Sequence, residues 1–231
     1  MKTDDFIDML AAGVTPVERG APARRLAGAL AIAAAGAVLL MTIAFGVRPD
    51  LSAVMRTPLF WAKLAFPLCV AAGAIVAAVR LARPGAAVGA GWPIVGAGIA
   101  AVWIAGLYVV ATAEPGDRLA VVLGQTWRVC PFNIVLLSVP GFVAMFVAIR
   151  GLAPTRLRSA GAAAGLATSA IATIAYSFHC PEMSPAFWSV WYLLGMVLPA
   201  AFGALVAPRA TVNMSDSTYQ TPQNGIDISA Q

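Results

Sequence analysis

Six long apolar stretches, separated by short polar segments, dominate the pattern of hydrophobic and polar positions along the chain. Each approaches or exceeds the roughly 20 residues that an α-helix needs to cross a hydrocarbon layer of roughly 30 Å. None alternates apolar and polar residues as a strand of a membrane barrel does. We therefore predict an all-α, polytopic membrane protein with six transmembrane helices, at Leu26–Gly46, Leu59–Val79, Ala87–Ala111, Phe132–Ile149, Ser159–Ser177 and Ala186–Ala207.

The composition agrees with this pattern. Hydrophobic residues make up 60% of the chain and charged residues 11%, whereas a soluble domain has about 45–50% and about 25%. This excludes a water-soluble globular protein. The domain prediction is a cytoplasmic N-terminal segment over residues 1–25, a six-helix membrane domain over 26–208 and a disordered cytoplasmic tail over 209–231, which is rich in Ser, Thr, Asn and Gln.

The basic residues predict the orientation. Ten Lys and Arg residues lie in the N-terminal segment, in the second-to-third and fourth-to-fifth connections and in the tail, against five on the opposite side. Cytoplasmic loops carry the excess of Lys and Arg. Both termini are therefore expected in the cytoplasm, and a bacterial inner membrane is the expected location. Outside the spans no basic patch is interleaved with aromatic residues, so no direct contact with nucleic acid is expected.

Two of the three cysteines are candidates for chemistry. Cys130-Pro131 opens the fourth span and Cys180-Pro181 follows the fifth, so both thiols are expected at the outer face, which permits disulfides in a bacterium. An antiparallel helix pair would bring these two ends together. Four interpretations remain open: two unrelated structural cysteines, a permanent disulfide, a reversible redox pair, or part of a metal site. Cys69, in the middle of an apolar span, is expected to be a small packing residue.

Three polar residues are expected near these cysteines. His179, the single histidine of the chain, could favour the thiolate form of Cys180, and Glu182 follows two residues after that thiol. Lys63, just inside the second span, could extend its ammonium to the outer interface or pair with a carboxylate. Adjacent residues rarely bind one ion well, so no metal ion is predicted. The chain has no nucleotide-binding loop and no hydrolase or zinc-protease motif, so neither an enzyme nor a cofactor is predicted.

The first residues of the N-terminal segment resemble a short amphipathic helix. Acidic residues at its start would favour the positive end of the helix dipole, and apolar residues follow. Because its polar face is acidic, a protein groove with basic rims is a more plausible partner than a lipid surface. The predicted partner-binding residues are Asp4, Asp5, Phe6, Ile7, Met9 and Leu10.

Small residues recur at four-residue spacing in two spans, in Ala29-Ala33-Ala37 and Gly161-Gly165-Ser169. Such stripes permit close contact between helices. Packing within one chain is the expected use, and a homodimer is left open.

Several motifs together resemble the negative regulator of sigma-F family, an integral membrane anti-sigma factor family. The similarity extends over roughly residues 1–209, and the motifs are the opening Met1–Ile7, Arg48–Leu51, Phe60–Lys63, Cys130-Pro131, His179–Glu182 and Trp191-Tyr192. The resemblance implies six spans, an extracytoplasmic-function (ECF) sigma factor held by the N-terminal segment, and periplasmic sensing of oxidant or metal stress by Cys130 and Cys180.

Two other functions compete with this hypothesis. A small membrane thiol–disulfide oxidoreductase, or a metal or solute transporter, could use the same cysteines, although the chain lacks the C-x-x-C motif of thiol–disulfide enzymes. A structural protein with an inert disulfide would hold both cysteines oxidised at all times.

Overall fold

The computed structural model describes residues 21–83, 87, 89–150 and 155–218, with side chains between residues 23 and 209. Every regular element in these ranges is helical, and six helices are long and apolar enough to cross a membrane. The predicted fold class is therefore confirmed. The helices are α1 (Ala21–Ala44), α2 (Leu51–Val54), α3 (Pro58–Leu81), α4 (Gly91–Thr112), α5 (Arg118–Leu123), α6 (Cys130–Arg150), α7 (Leu157–Tyr176), α8 (Pro185–Phe187) and α9 (Leu193–Thr218).

The last span is made of three parts. A π-helical turn, Trp188–Tyr192, joins α8 to α9 without a break in the helix. α9 continues to Thr218, into the segment predicted as a tail. The predicted partner-binding residues Asp4, Asp5, Phe6, Ile7, Met9 and Leu10 lie outside the described residues.

α7 is the central helix of the bundle. It packs against α9, α3, α6 and α1, and most of its length is buried. It is also the least apolar of the six spans, because hydroxyl side chains replace aliphatic ones along it. These hydroxyls bond to carbonyl groups of the preceding turn, and Ser169 Oγ also donates to the carbonyl oxygen of Met196 in α9 at 3.0 Å. The buried serine and threonine hydroxyls of α7 are thereby satisfied in an interior without water.

Small residues set the distance between neighbouring helices. A Cβ atom added at Gly161 or Gly165 would collide with backbone of α9, at Gly203 and Pro199 respectively. The alanine stripe of α1 is buried against α6, where a Cβ added at Gly141 would meet its second alanine. Both stripes predicted from the sequence therefore serve packing within one chain.

The alternation of helix direction creates two distinct ends. We call the cysteine end the one formed by the end of α1, the starts of α3 and α6, the end of α7 and the start of α8. The arginine end is the opposite one, where the helices begin or finish near Arg24, Arg25, Arg80, Arg83, Arg150, Arg156, Arg158 and Arg209.

The glycine contact between α7 and α9 yields a stability prediction. Gly161→Ala should lower the free energy of unfolding by about 2 kcal/mol, because the new methyl group has only backbone to displace. Thermal unfolding in detergent, followed by loss of the monodisperse size-exclusion peak, measures the change.

Gly96→Ala is the matched control, since nothing lies within 4 Å of a Cβ at that lipid-facing helical position. It should be neutral or slightly stabilising, because alanine favours a helix more than glycine does. Equal thermal stability of the two variants would contradict the close α7–α9 contact.

Candidate functional site

The two cysteines singled out by the sequence meet at the cysteine end. Cys130 is the first residue of α6, and Cys180 follows the last turn of α7, where its N–H donates to the carbonyl oxygen of Tyr176 at 2.9 Å. Because α6 and α7 are consecutive and antiparallel, the start of one lies beside the end of the other. Both thiols are free, fully buried and close enough to share a hydrogen bond. The structure thus holds this pair together in reduced form.

Lys63 lies against Cys180 in the interior. Its side chain is 0% exposed, and Nζ donates a hydrogen bond of 2.7 Å to the carbonyl oxygen of Cys180. Nζ also lies 5.7 Å from the ring centroid of Tyr192, in a cation–π arrangement. The ammonium does not extend to the interface, and within the described ranges no carboxylate forms an ion pair with it. Lys63 is therefore a buried cation beside the thiols.

A second cation covers Cys180 from the connection between α1 and α2. Arg48 Nη1 donates to the Cys180 carbonyl oxygen at 3.2 Å, and the Arg48 backbone N–H donates to the carbonyl oxygen of Phe178 at 3.1 Å. The guanidinium also binds both carboxylate oxygens of Asp50, at 2.7 and 2.8 Å. This hydrogen-bonded pair raises the pKa of Arg48 and lowers the pKa of the exposed Asp50 carboxyl. The bidentate geometry fixes the guanidinium over the cysteine loop.

His179 is engaged with the same connection. Its Nδ1 lies 3.0 Å from the carbonyl oxygen of Gly46, which requires a proton on Nδ1, and its ring packs 5.3 Å from that of Phe45. Gly46 has a φ of +74°, a conformation that favours glycine and directs the chain back over the bundle. The histidine thus secures the α1–α2 connection. Lys63, and not His179, is the side chain that brings a buried positive charge to Cys180.

Glu182 holds the segment that precedes α6. Its Oε1 accepts hydrogen bonds from the backbone N–H groups of Gln125 and Thr126, at 2.7 and 3.0 Å, and from the Thr126 hydroxyl at 3.2 Å. Gly124, with a φ of +57°, leaves room for the carboxylate. The side chains of Glu182 and His179 thus bond to two different loops, and they do not point together at the thiols. The described residues contain no group of three His, Cys, Asp or Glu side chains that could hold a metal ion.

Two buried tyrosines complete the cluster, and neither is among the site residues predicted from the sequence. Tyr192, in the π-helical turn, has a buried hydroxyl that lies beside Cys180. Tyr176, in α7, lies beside Cys130 and accepts a hydrogen bond of 3.4 Å from Asn133 Nδ2. π-Helical turns occur frequently at functional sites. The sequence signal that could have found Tyr192 is the Trp191-Tyr192 motif of the family resemblance, and Tyr176 belongs to none of those motifs.

The arrangement favours ionisation of one thiol. The hydrogen bond from Cys130 and the charge of Lys63 hold the pKa of the Cys180 thiol below its usual range, against the opposing effect of burial. A thiolate is the form of cysteine that reacts with oxidants. Two thiols in hydrogen-bond contact need little movement to form a disulfide. The cluster can therefore act as a thiol pair that closes on oxidation.

Comparisons with known proteins cover nearly the whole membrane domain. Residues 10–211 match the family described as negative regulator of sigma F. The probable anti-sigma-F factor NrsF of Azospira oryzae is 45% identical over 206 residues, which are 89% of this chain and 97% of that protein. The anti-sigma-F factor NrsF of Caulobacter vibrioides is 36% identical over 204 residues, 88% of this chain and 95% of that protein. No solved structure matches the chain.

The family match begins at Leu10, so five of the six predicted partner-binding residues precede it. It includes all of the cysteine cluster and ends two residues beyond Arg209, near the point where the sequence resemblance was expected to end. With this extent of match to the family model and to two relatives, the chain belongs to the family of negative regulators of sigma F.

Proposed function

We propose that this protein is a membrane-bound anti-sigma factor of the bacterial inner membrane that sequesters an ECF sigma factor and releases it when its cysteine end senses oxidant or metal stress. The observation that carries the sensing part is the buried, reduced and hydrogen-bonded pair of Cys130 and Cys180. Family membership supports the regulatory part.

In the proposed orientation, the sensor and the partner lie on opposite sides of the membrane. The arginine end carries the excess of positive charge that marks the cytoplasmic side, so the cysteine end faces the periplasm. Both termini are then cytoplasmic. Oxidants and metal ions reach the periplasm first, while the sigma factor acts in the cytoplasm.

The N-terminal segment is the proposed docking element for the sigma factor. Asp4, Asp5, Phe6, Ile7, Met9 and Leu10 combine acidic and apolar residues, a composition that suits a groove with an apolar floor and basic rims. Ten further residues, 11–20, connect this motif to α1.

The proposed chemical event is disulfide formation. The two thiols lose two protons and two electrons in joining Cys130 Sγ to Cys180 Sγ. A hydroperoxide accepts the electrons as its O–O bond breaks, giving an alcohol and water. The reaction replaces a hydrogen-bonded contact by a covalent bond with its own dihedral preference, so the start of α6 and the end of α7 must adjust.

α7 is the proposed route by which this adjustment reaches the other side. It begins at the arginine end, finishes beside Cys180 and contacts four other spans. Its interface with α9 is backbone against backbone at Gly161 and Gly165, with no flexible side chains to absorb a displacement. Packed helix interfaces of this kind shift between discrete arrangements.

The docking element predicts a loss of partner on truncation. Full-length tagged protein purified from unstressed cells in mild detergent should carry a sigma factor, and a chain lacking residues 3–12 should carry none. Mass spectrometry of the purified complexes identifies the partner.

A chain lacking residues 219–231 is the matched terminal deletion and should retain the sigma factor. Retention by the chain lacking residues 3–12 would show that docking occurs elsewhere. Absence of any sigma factor from full-length protein would contradict sequestration.

The thiol pair predicts a loss of response. Cys130→Ser with Cys180→Ser should abolish induction of a sigma-dependent reporter by hydrogen peroxide, because neither variant thiol can enter a disulfide. Alkylation of cell extracts before and after peroxide should show the wild-type pair changing from free thiols to a disulfide.

Cys69→Ser is the control, since that thiol lies within the membrane near the Ile94 carbonyl and away from the pair. It should respond as the wild type does. Normal induction in the double variant would disprove thiol sensing, and a disulfide already complete at rest would identify an inert structural bridge.

A further inference from the structure

Lys63 has an environment that its packing alone does not explain. The side chain is fully buried in a helix-rich interior, and its hydrogen bond goes to the neutral carbonyl oxygen of Cys180, which Arg48 also serves. An uncompensated charge in such a place is costly, and buried ammonium groups are normally paired with an anion. Within the described part of the chain, no carboxylate lies within ion-pair distance of Nζ.

The acidic groups in contact with Lys63 are thiols and a phenol, and the Glu182 carboxylate acts on it from beyond ion-pair distance. Cys180 and Cys130 both interact with its charge, and the face of the Tyr192 ring lies against Nζ. A thiol gives up its proton far more readily than a phenol. Of the two cysteines, Cys180 is the one whose main chain binds Nζ, through its carbonyl oxygen at 2.7 Å.

We infer that the Lys63 ammonium is the built-in counter-ion of a Cys180 thiolate, which makes Cys180 the first cysteine to be oxidised and Cys130 the one that resolves it. This inference rests on the proposed redox function and specifies how its site works. The Cys180 thiolate attacks a hydroperoxide, the O–O bond breaks, and the alkoxide leaves as an alcohol after taking up a proton. Cys130 then attacks the sulfenic acid at Cys180, a disulfide forms and water leaves.

The other groups around Cys180 act differently. Arg48 binds the carbonyl oxygen and is already paired with Asp50, whereas His179 and Glu182 are held by other loops. Lys63 is thus the one cation among these that is both buried and without a carboxylate partner. The charged and titratable groups that face Cys180 from its surroundings are Lys63 on α3, Cys130 on α6, Tyr176 on α7, Tyr192 in the π-helical turn and Arg48 before α2.

The test measures ionisation of the thiol directly in the full-length protein. With cysteine labelled by ¹³C at Cβ, the three resonances are assigned by single Ser variants and followed in detergent as the pH is raised. Wild-type Cys180 should ionise at lower pH than a free cysteine does. In Lys63→Met the Cys180 midpoint should rise by about one pH unit or more, the size of effect expected from one neighbouring charge.

Lys63→Arg is the matched control, because it retains a cation and a donor for the carbonyl oxygen, and it should keep the wild-type midpoint. Formation of the disulfide with hydrogen peroxide at pH 7 should slow about tenfold in Lys63→Met, since a tenfold change corresponds to one pH unit of ionisation. Dimedone should label Cys180 in the Cys130→Ser variant, whereas Cys130 should stay unlabelled in Cys180→Ser.

A purely structural Lys63 would give a different result. Lys63→Met would then lower the midpoint of thermal unfolding and leave the Cys180 titration unchanged, and that outcome overturns the inference. As a counter-ion, Lys63 affects the Cys180 titration whatever happens to thermal stability, because removing one member of a buried ion pair leaves the other charge uncompensated until the thiolate takes up a proton. Should the Met variant not fold, Lys63→Gln removes the same charge while keeping a hydrogen-bond donor.

The failures of the two proposals are distinguishable. An unchanged titration in Lys63→Met, together with loss of reporter induction in the double cysteine variant, would leave the redox function in place and reject the counter-ion. A shifted titration combined with normal induction in the double cysteine variant would support the ion pair and reject its role in sensing.

Discussion

The carbonyl oxygen of Cys180 accepts hydrogen bonds from two cations, Lys63 Nζ at 2.7 Å and Arg48 Nη1 at 3.2 Å, and the cysteine end is organised around this junction. One cation comes from the interior of α3 and the other from the connection after α1. Lys63 and Arg48 both lie more than 100 residues before Cys180, so this single acceptor joins parts of the chain that are distant in sequence. The junction also places the charge of α3 beside the thiol of Cys180, and the thiol chemistry proposed for the pair depends on that placement.

Close contact of small residues supplies the frame for this junction. Helices in lipid gain little from burying apolar surface, so their association depends on van der Waals contact and hydrogen bonds between helices. α7 meets α9 at Gly161 and Gly165, and Ser169 adds a hydrogen bond to the Met196 carbonyl oxygen. The helix whose end carries Cys180 is therefore packed closely against four other spans.

Some parts of this structure follow from sequence patterns and others do not. Span length and apolar composition suffice for six helices, and the antiparallel order of α6 and α7 suffices to expect Cys130 near Cys180. Burial of Lys63 does not follow, because a lysine near the end of a span can equally extend to the interface, and the helix register alone leaves both outcomes open. The position of Tyr192 beside Cys180 depends on a π-helical turn, which shifts the phase of the last span. The contact of His179 with the Gly46 carbonyl oxygen depends on the positive φ of that glycine.

Complete burial of both sulfur atoms has a kinetic consequence. A reagent from outside meets neither thiol in the closed structure, so any reaction must wait for a local opening, and its rate is the product of the open fraction and the intrinsic rate. Brief pulses of a reactive compound therefore pass with little conversion, whereas sustained exposure accumulates product. Arg48 and His179 hold the connection after α1 against the end of α7, so an opening at this place has to break their hydrogen bonds first.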